Sequence, residues 1–363
     1  MYWQQETNNQ ALMVDEALEQ EEQQELYEHH HIIVDRGQEM LRIDKYLQMH
    51  LQGISRTKIQ AATKAECVRV NGKPSKANYR VKPLDEISIL LPEPPHEFEL
   101  VPEPVDFKIA YEDDDVIVVD KHPGLVVHPG VGNWTGTLVN GLLYYFQNNQ
   151  NVQSAQHTPT PYLVHRIDKD TSGLLLVAKN EEAQAFLAKQ FFEHTIERKY
   201  NALVWGDFDE DSGTIEGNLG RSPQDRKVMC VYPHEEGVPE EEQKGKHAVT
   251  HWRVLERFGY VTLVECVLET GRTHQIRAHM RHIGHPLFSD VAYGGDAIVK
   301  GTTFTKYRQF VENCFAVCPR QALHARVLGF EHPTTKQHMH FESPIPDDMQ
   351  QCIDRWRNYG RSN

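Results

Sequence analysis

At 363 residues the chain is long enough for two domains of roughly 150 residues each. No apolar run approaches the roughly 20 residues that cross a bilayer, and the opening MYWQQETNNQ lacks the basic and apolar regions of a secretory signal, so a soluble, cytoplasmic protein is expected. A formal charge of −14 argues at first sight against nucleic acid, and the scattered cysteines, none in a CxxC pair or beside a histidine at finger spacing, read as reduced thiols.

The charge is unevenly placed. Residues 1–40 carry Glu6, Asp15, Glu16, Glu19, Glu21, Glu22, Glu25, Glu28, Asp35 and Glu39 against Arg36, and this Gln- and Glu-rich stretch predicts a disordered or loosely helical tail. Residues 41–91 are basic instead. Leu41, Asp44, Lys45 and Tyr46 begin a helical pattern, Ser55 is placed to cap a second helix through Ile59 and Ala62, and Val68–Val70 leads through Asn71-Gly72 toward a strand at Ile87–Leu90. Arg42-Ile43-Asp44-Lys45-Tyr46-Leu47, Ser55-Arg56 and Val68-Arg69-Val70-Asn71-Gly72-Lys73 resemble the small αL RNA-binding domain of ribosomal proteins and several RNA-modifying enzymes. That resemblance implies RNA contacts from Arg42, Arg56, Lys58, Arg69 and Lys73. One departure is Pro83-Leu84-Asp85, where a glycine commonly precedes the aspartate.

Residues 92–104 form a Pro-rich linker, too dense in X-Pro steps for a helix or central strand, and a second domain is expected over 105–363. Val116–Lys121 reads as a buried strand. His122–Gly130 reads as a second strand punctuated by turns, a helix starts at Thr137, and 148–161 is a polar loop.

Leu163–Lys179 sets His165, Arg166, Asp168, Lys169, Asp170, Thr171 and Ser172 between two apolar, strand-like runs, Tyr162–Val164 and Leu174–Val177. Loops held by rigid strands often carry chemistry, and a carboxylate flanked by cations is poised to act as nucleophile or base. Two other readings fit Asp168 alone: a turn cap, or a metal ligand together with Asp170. Downstream, Asn180 caps a helix bearing Ala183, Phe186, Leu187 and Phe191 on one face, and Arg198–Gly206 is a strand. Arg221, Arg226, Lys227, Lys244 and Lys246 bracket an acidic loop at 235–242. Ala248–Arg253 and Tyr260–Leu268 read as paired strands. A helix is expected from a Thr273 cap to a Gly284 stop, and residues 293–320 read as a surface excursion.

His165-Arg166-Ile167-Asp168 with Thr171-Ser172-Gly173-Leu174-Leu175-Leu176, and Gly271-Arg272-Thr273-His274-Gln275-Ile276-Arg277, resemble the two long signatures of the RluA-type pseudouridine synthases, most closely their RluD-like branch. The resemblance implies an α+β chain, a small αL RNA-binding domain ahead of a mixed, mainly antiparallel-sheet catalytic domain. It also implies an isomerase that converts uridine to pseudouridine in an RNA stem-loop of large-subunit ribosomal RNA. In that family the aspartate at the Asp168 position is catalytic, the tyrosine at Tyr200 stacks on the uracil, and the basic residue at Arg277 pairs with the aspartate. His165, Arg166, Thr171, Arg272 and Ile276 are then expected to meet substrate, with Arg166 displacing the base. No metal, no cofactor and no obligatory protein partner are expected, and the chain is expected to be a monomer. Transfer RNA as substrate, a catalytically silent ribosome-assembly factor, and a metal-dependent hydrolase using Asp168, Asp170 and nearby histidines are the competing readings.

Overall fold

The computed structural model describes residues 27–51, 56–64, 67–76, 78–91, 100–130, 133–149, 160–225, 227–233, 237–239 and 243–362. It divides into two units, Met1–Glu99 and Leu100–Asn363.

In the first unit, helices α1 (Ile43–His50) and α2 (Arg56–Lys64) accompany a four-stranded antiparallel sheet in the order β1 (Tyr27–Ile33), β4 (Glu86–Leu91), β2 (Val68–Val70) and β3 (Lys73–Pro74). Ile43, Tyr46, Leu47, Ile59, Val68 and Ile87 form its core, the helical and strand periodicities each turning one face inward. Strand β1 corrects the expectation of a tail reaching residue 40. Its Ile32-Ile33 end suits a pleated surface and pairs with β4, a local signal that the acidic composition of the surrounding forty residues masks. The acidic residues before 27 and the expected cap at Ser55 lie outside the described residues.

Asp44, in the first turn of α1, is fully buried. Burial alone would raise its pKa, but hydrogen bonds from Gln60, Arg56 and Arg42 hold the carboxyl well below the usual carboxylate range. Arg42 (3.1 Å) and Arg56 (2.8 Å) therefore neutralise Asp44 from half-exposed positions, in addition to any role toward RNA. Lys73 is exposed, Arg69 is half-buried with no partner for its Nε among the described residues, and the Lys58 side chain lies outside the described residues.

The Pro83-Leu84 turn explains the departure from the glycine pattern. Asp85 N–H donates to the Lys82 carbonyl at 3.1 Å, Pro83 occupies the first central position, and Leu84 takes the second at φ +65°. This is the type II turn position that glycine fills without steric cost. Leu84→Gly is expected to stabilise the protein by about 0.5–1 kcal/mol, the relief of left-handed strain exceeding the entropy lost by glycine. Denaturant unfolding of the full chain would read this as a higher midpoint; a lower one would show that the half-exposed leucine side chain matters more than its backbone.

The second unit is built on one eleven-stranded sheet. Its path runs β11 (Met229–Tyr232), β10 (Ser212–Arg221), β12 (Lys246–Arg257), β13 (Val261–Leu268), β9 (Glu197–Trp205), β14 (Leu323–Glu331), β8 (Ser172–Ala178), β6 (Val116–Lys121), β5 (Lys108–Glu112). Strand β15 (His338–Glu342) pairs with β14, and β7 (Tyr162–Leu163) with β8. Every pairing is antiparallel except β14 with β8.

The central strands are covered on both faces. Ile117, Val119, Leu175 and Val177 join the core under α3 (Leu138–Asn148) and α5 (Gln275–His282), while Val116, Val118, Leu174 and Leu176 meet α4 (Glu181–Phe192) on the other side. Alternating exposure to two cores makes these runs continuously apolar. Thr137 caps α3 through a reciprocal bond with Asn140.

Three expectations are corrected here. Leu125 and Val127 are buried but form no strand, because the carbonyls of Val126 and Val127 accept from the first turn of α3. Residues 101–104 are not free linker, since the Asn140 side chain donates to Val101 O and Glu103 N–H donates to Asn140 O. Residues 293–320 are not a mere surface excursion: α6 (Thr305–Val317) buries Tyr307, Val311 and Cys314 against Trp205, Phe288 and Trp356, the last from α7 (Asp347–Ser362). No described helix is long and apolar enough to cross a membrane.

Candidate active site

The loop between β7 and β8 places Asp168 at the edge of a cleft of about 870 Å³ lined also by His165, Arg166, Thr171, Arg198, Tyr200, Arg272, His274, Ile276 and Arg277. The loop is braced from beneath. Lys121 Nζ donates to Lys169 O at 2.8 Å, Gly124 N–H donates to the same carbonyl at 2.9 Å, and Arg320 reaches Asp170 O at 2.9 Å while Asp348 holds its other edge at 2.7 and 3.0 Å. Burial pushes the Lys121 ammonium down to about 7. At the loop's exit Gly173 has φ +109°, and a Cβ there would lie 2.2 Å from Ala325 O, so only glycine lets β8 press against β14.

Helix α5 brings the opposing charge. Arg277 Nη1 donates to Asp168 Oδ2 at 3.0 Å, while Nε and Nη2 donate to the two oxygens of Asp290 at 2.7 and 2.8 Å. The guanidinium also lies over the Tyr293 ring at 4.9 Å. Burial works against the charge on Arg277, but Asp290 and Asp168 together raise its pKa above the ordinary value. Planar, bidentate pairing of this kind holds a guanidinium in one orientation, which fixes the third N–H on Asp168.

Residues the sequence singled out take different places around this pair. Tyr200 is buried among Ile167, Ile276 and Leu323 at the cleft wall, and burial raises its hydroxyl pKa. Arg166 is exposed at the mouth without a partner among the described residues, and Arg272 is exposed with its Nε on His247 O at 3.1 Å. His165 lines the cleft, but its Nε2 accepts from Leu176 N–H at 2.9 Å and its ring stacks on Phe191 at 4.8 Å. Thr171 is buried, with a hydroxyl that has no partner among the described residues.

The expected Thr273 cap is corrected: α5 starts at Gln275 behind His274, which sits at φ +53°. Gln275 replaces the cap, its Oε1 accepting from Arg272 N–H at 2.9 Å and Thr270 Oγ1 at 2.7 Å. Gly284 ends the helix at φ +87°. Asp290, Lys121 and Arg320 were missed from sequence. Their signal was weak, since each is one charged residue without a repeating partner, made significant by contacts distant in sequence.

Among the described residues, two groups could hold a cation, Glu197–His338–His340 and Asp113–Asp115–His332, and neither includes a residue lining the cleft. In the second, His332 Nδ1 accepts from the backbone of Thr334 and Thr335, so Nε2 carries the proton and donates to Asp113 at 2.8 Å.

His165 on the cleft wall and the buried His279 make stability pH-dependent. Burial lowers His165 to about 3 and His279 to about 4. The unfolded chain binds these protons from about pH 6.5 downward while the folded state does not, so stability falls as pH drops below that value, by roughly 1 kcal/mol per pH unit per histidine. Unfolding measured at pH 7, 6 and 5 is expected to show this slope, shallower in His165→Gln; equal slopes would remove His165 from the account.

The family described as RNA pseudouridylate synthase matches residues 115–282, and the S4 domain matches residues 41–87. An "Uncharacterized RNA pseudouridine synthase" of Chlorobaculum parvum is 44% identical over 324 residues, covering 89% of this chain and 96% of that protein. A "Ribosomal large subunit pseudouridine synthase D" of Nitrosomonas europaea is 41% identical over 323 residues, covering 89% of this chain and 86% of that one. A solved structure, "Human RNA Pseudouridylate Synthase Domain Containing 4", shares the fold, with TM-score 0.52 at 20% identity over 69% of this chain and 93% of that chain.

Proposed function

The chain belongs to the RNA pseudouridylate synthase family, an isomerase domain preceded by an RNA-binding S4 domain, and from that premise we propose that it modifies large-subunit ribosomal RNA with Asp168 as the reacting carboxylate. The observation that carries the mechanism is the Arg277–Asp168 ion pair at 3.0 Å, at the edge of a cleft whose wall includes Tyr200. The substrate reading rests on the large-subunit enzyme of Nitrosomonas europaea and its 41% identity.

The reaction breaks the N1–C1′ bond of uridine, turns the freed uracil and joins C5 to C1′, while C5 loses a proton and N1 gains one. A base inside a helix is out of reach, so the nucleotide is extruded at a cost on the order of a few kcal/mol, least in a loop already partly unstacked. Arg166, exposed at the mouth without a partner among the described residues, is placed to take the vacated position in the stack. Tyr200 supplies the flat wall against which the base rests. Arg277 holds Asp168 in one orientation, and the buried braces Lys121 and Arg320 keep the loop from yielding while the base turns. The enzyme works in the cytoplasm without a cofactor or obligatory partner.

Pseudouridine mapping of large-subunit ribosomal and transfer RNA transcripts after incubation with the protein in excess EDTA tests this directly. New pseudouridine in a large-subunit stem-loop is expected. Modification of transfer RNA alone would move the substrate, a requirement for divalent metal would overturn the mechanism, and binding without modification would favour the assembly-factor reading.

A further inference from the structure

His274 is held where an ordinary side chain is costly. It sits at φ +53° immediately before α5, a left-handed conformation that a non-glycine residue adopts with strain, and such strain persists where the surroundings impose it. Gln275 and Thr270 impose it here, locking the turn from both sides. The ring is therefore delivered to a fixed place in the cleft.

Its protonation pattern follows from its neighbours. The Tyr293 hydroxyl accepts from Met229 N–H at 2.9 Å and lies 3.0 Å from His274 Nδ1. With the hydroxyl oxygen already accepting from an amide, its O–H donates a hydrogen bond to Nδ1, which leaves the imidazole N–H on Nε2. That Nε2 is 3.9 Å from Asp168 Oδ2, the same oxygen that Arg277 Nη1 holds at 3.0 Å. No partner of Oδ1 is found among the described residues.

Resting on the assignment of Asp168 as the reacting carboxylate, we propose that His274 is a positioning residue, whose Nε2–H closes on Oδ2 when RNA seats and, with Arg277, leaves Oδ1 as the oxygen that reacts. At 3.9 Å the contact is longer than a hydrogen bond, and catalytic hydrogen bonds commonly tighten only in the substrate complex. Tyr293 serves two ends in this arrangement: its ring faces Arg277 and its hydroxyl sets the His274 tautomer.

Single-turnover kinetics on the modified transcript separates this role from a structural one. His274→Gln retains an N–H at the reach of Nε2, His274→Asn tolerates the left-handed backbone but is too short, and His274→Gly relieves the strain and removes the donor. The rate of the chemical step is expected to fall about 100-fold in the Asn and Gly variants, with RNA affinity preserved and melting temperature not lowered, and to recover most of the way in the Gln variant. Tyr293→Phe is expected to fall between, because the ring stays while the tautomer is released. Equal rates in the wild type and all three His274 variants would overturn the proposal, as would an equal loss in Gln, Asn and Gly. Asp168→Ala, run in parallel, distinguishes the two levels: if it remains active the assignment of Asp168 fails, whereas an inactive Asp168→Ala beside unimpaired His274 variants defeats the His274 role alone.

Discussion

Asp168→Asn is expected to lower the rate of pseudouridine formation by on the order of 10⁴-fold or more, while the protein folds and binds RNA as before. The change keeps the shape of the side chain and replaces the charged carboxylate with a neutral amide. Stability is spared for a reason visible in the site. Asp168 is partly exposed, and Arg277 keeps both hydrogen bonds to Asp290, at 2.7 and 2.8 Å, when its other partner becomes an amide. Activity and stability should therefore separate, read by single-turnover pseudouridine formation on one side and thermal unfolding on the other. Residual activity within about tenfold of wild type would remove Asp168 from the chemistry, because loss of a reacting group is not compensated by positioning alone.

Asp290→Ala should do the reverse and damage both. The carboxylate is fully buried and carries two of the three Arg277 contacts, and it also accepts the Tyr293 N–H at the start of the short 3₁₀ turn Val291–Tyr293. Removing it leaves a buried guanidinium half-unpaired, which costs about 3–5 kcal/mol. The freed Arg277 no longer presents Nη1 to Asp168 in one orientation, and a misplacement near 1 Å can lower the rate about 100-fold. A double variant, Asp290→Leu with Arg277→Met, gives the sharper reading. Replacing both charges by apolar groups should recover much of the stability and none of the activity, since contacting residues do not add. If Asp290→Ala unfolds within about 1 kcal/mol of wild type, the pair is not the brace described above.

The loop carrying Asp168 could be read from sequence because its signal is local: reactive side chains between two apolar runs that had to be strands covered on both faces. The helix bearing Arg277 was legible through its Gly284 stop and apolar stripe. Its start was not, because the group that closes it is the Gln275 side chain folded back on Arg272 and Thr270, a competition that a threonine at the usual cap position conceals. Leu125 and Val127 misled for a related reason. Their burial is real, but their backbone is satisfied by the first turn of α3 and not by a neighbouring strand. Likewise Tyr293–Arg320 showed no clear stripe because α6 buries only Tyr307, Val311 and Cys314, and its partners, Trp205 of β9 and Trp356 of α7, are far from one another in sequence.

Local pattern was thus enough for the two-unit organisation, the central strand runs Val116–Lys121 and Leu174–Val177 and the family, all of which depend on residues within a few positions of one another. What the amino acids could not show singly is who faces whom. The Asp168–Arg277 contact spans 109 residues, and Asp290, Lys121, Arg320 and the His274–Tyr293 pair acquire meaning only when β8, β14 and α5 meet around the cleft. Ion pairs and buried hydrogen bonds act over a few ångströms, so their partners are set by the packed sheet and not by spacing along the chain.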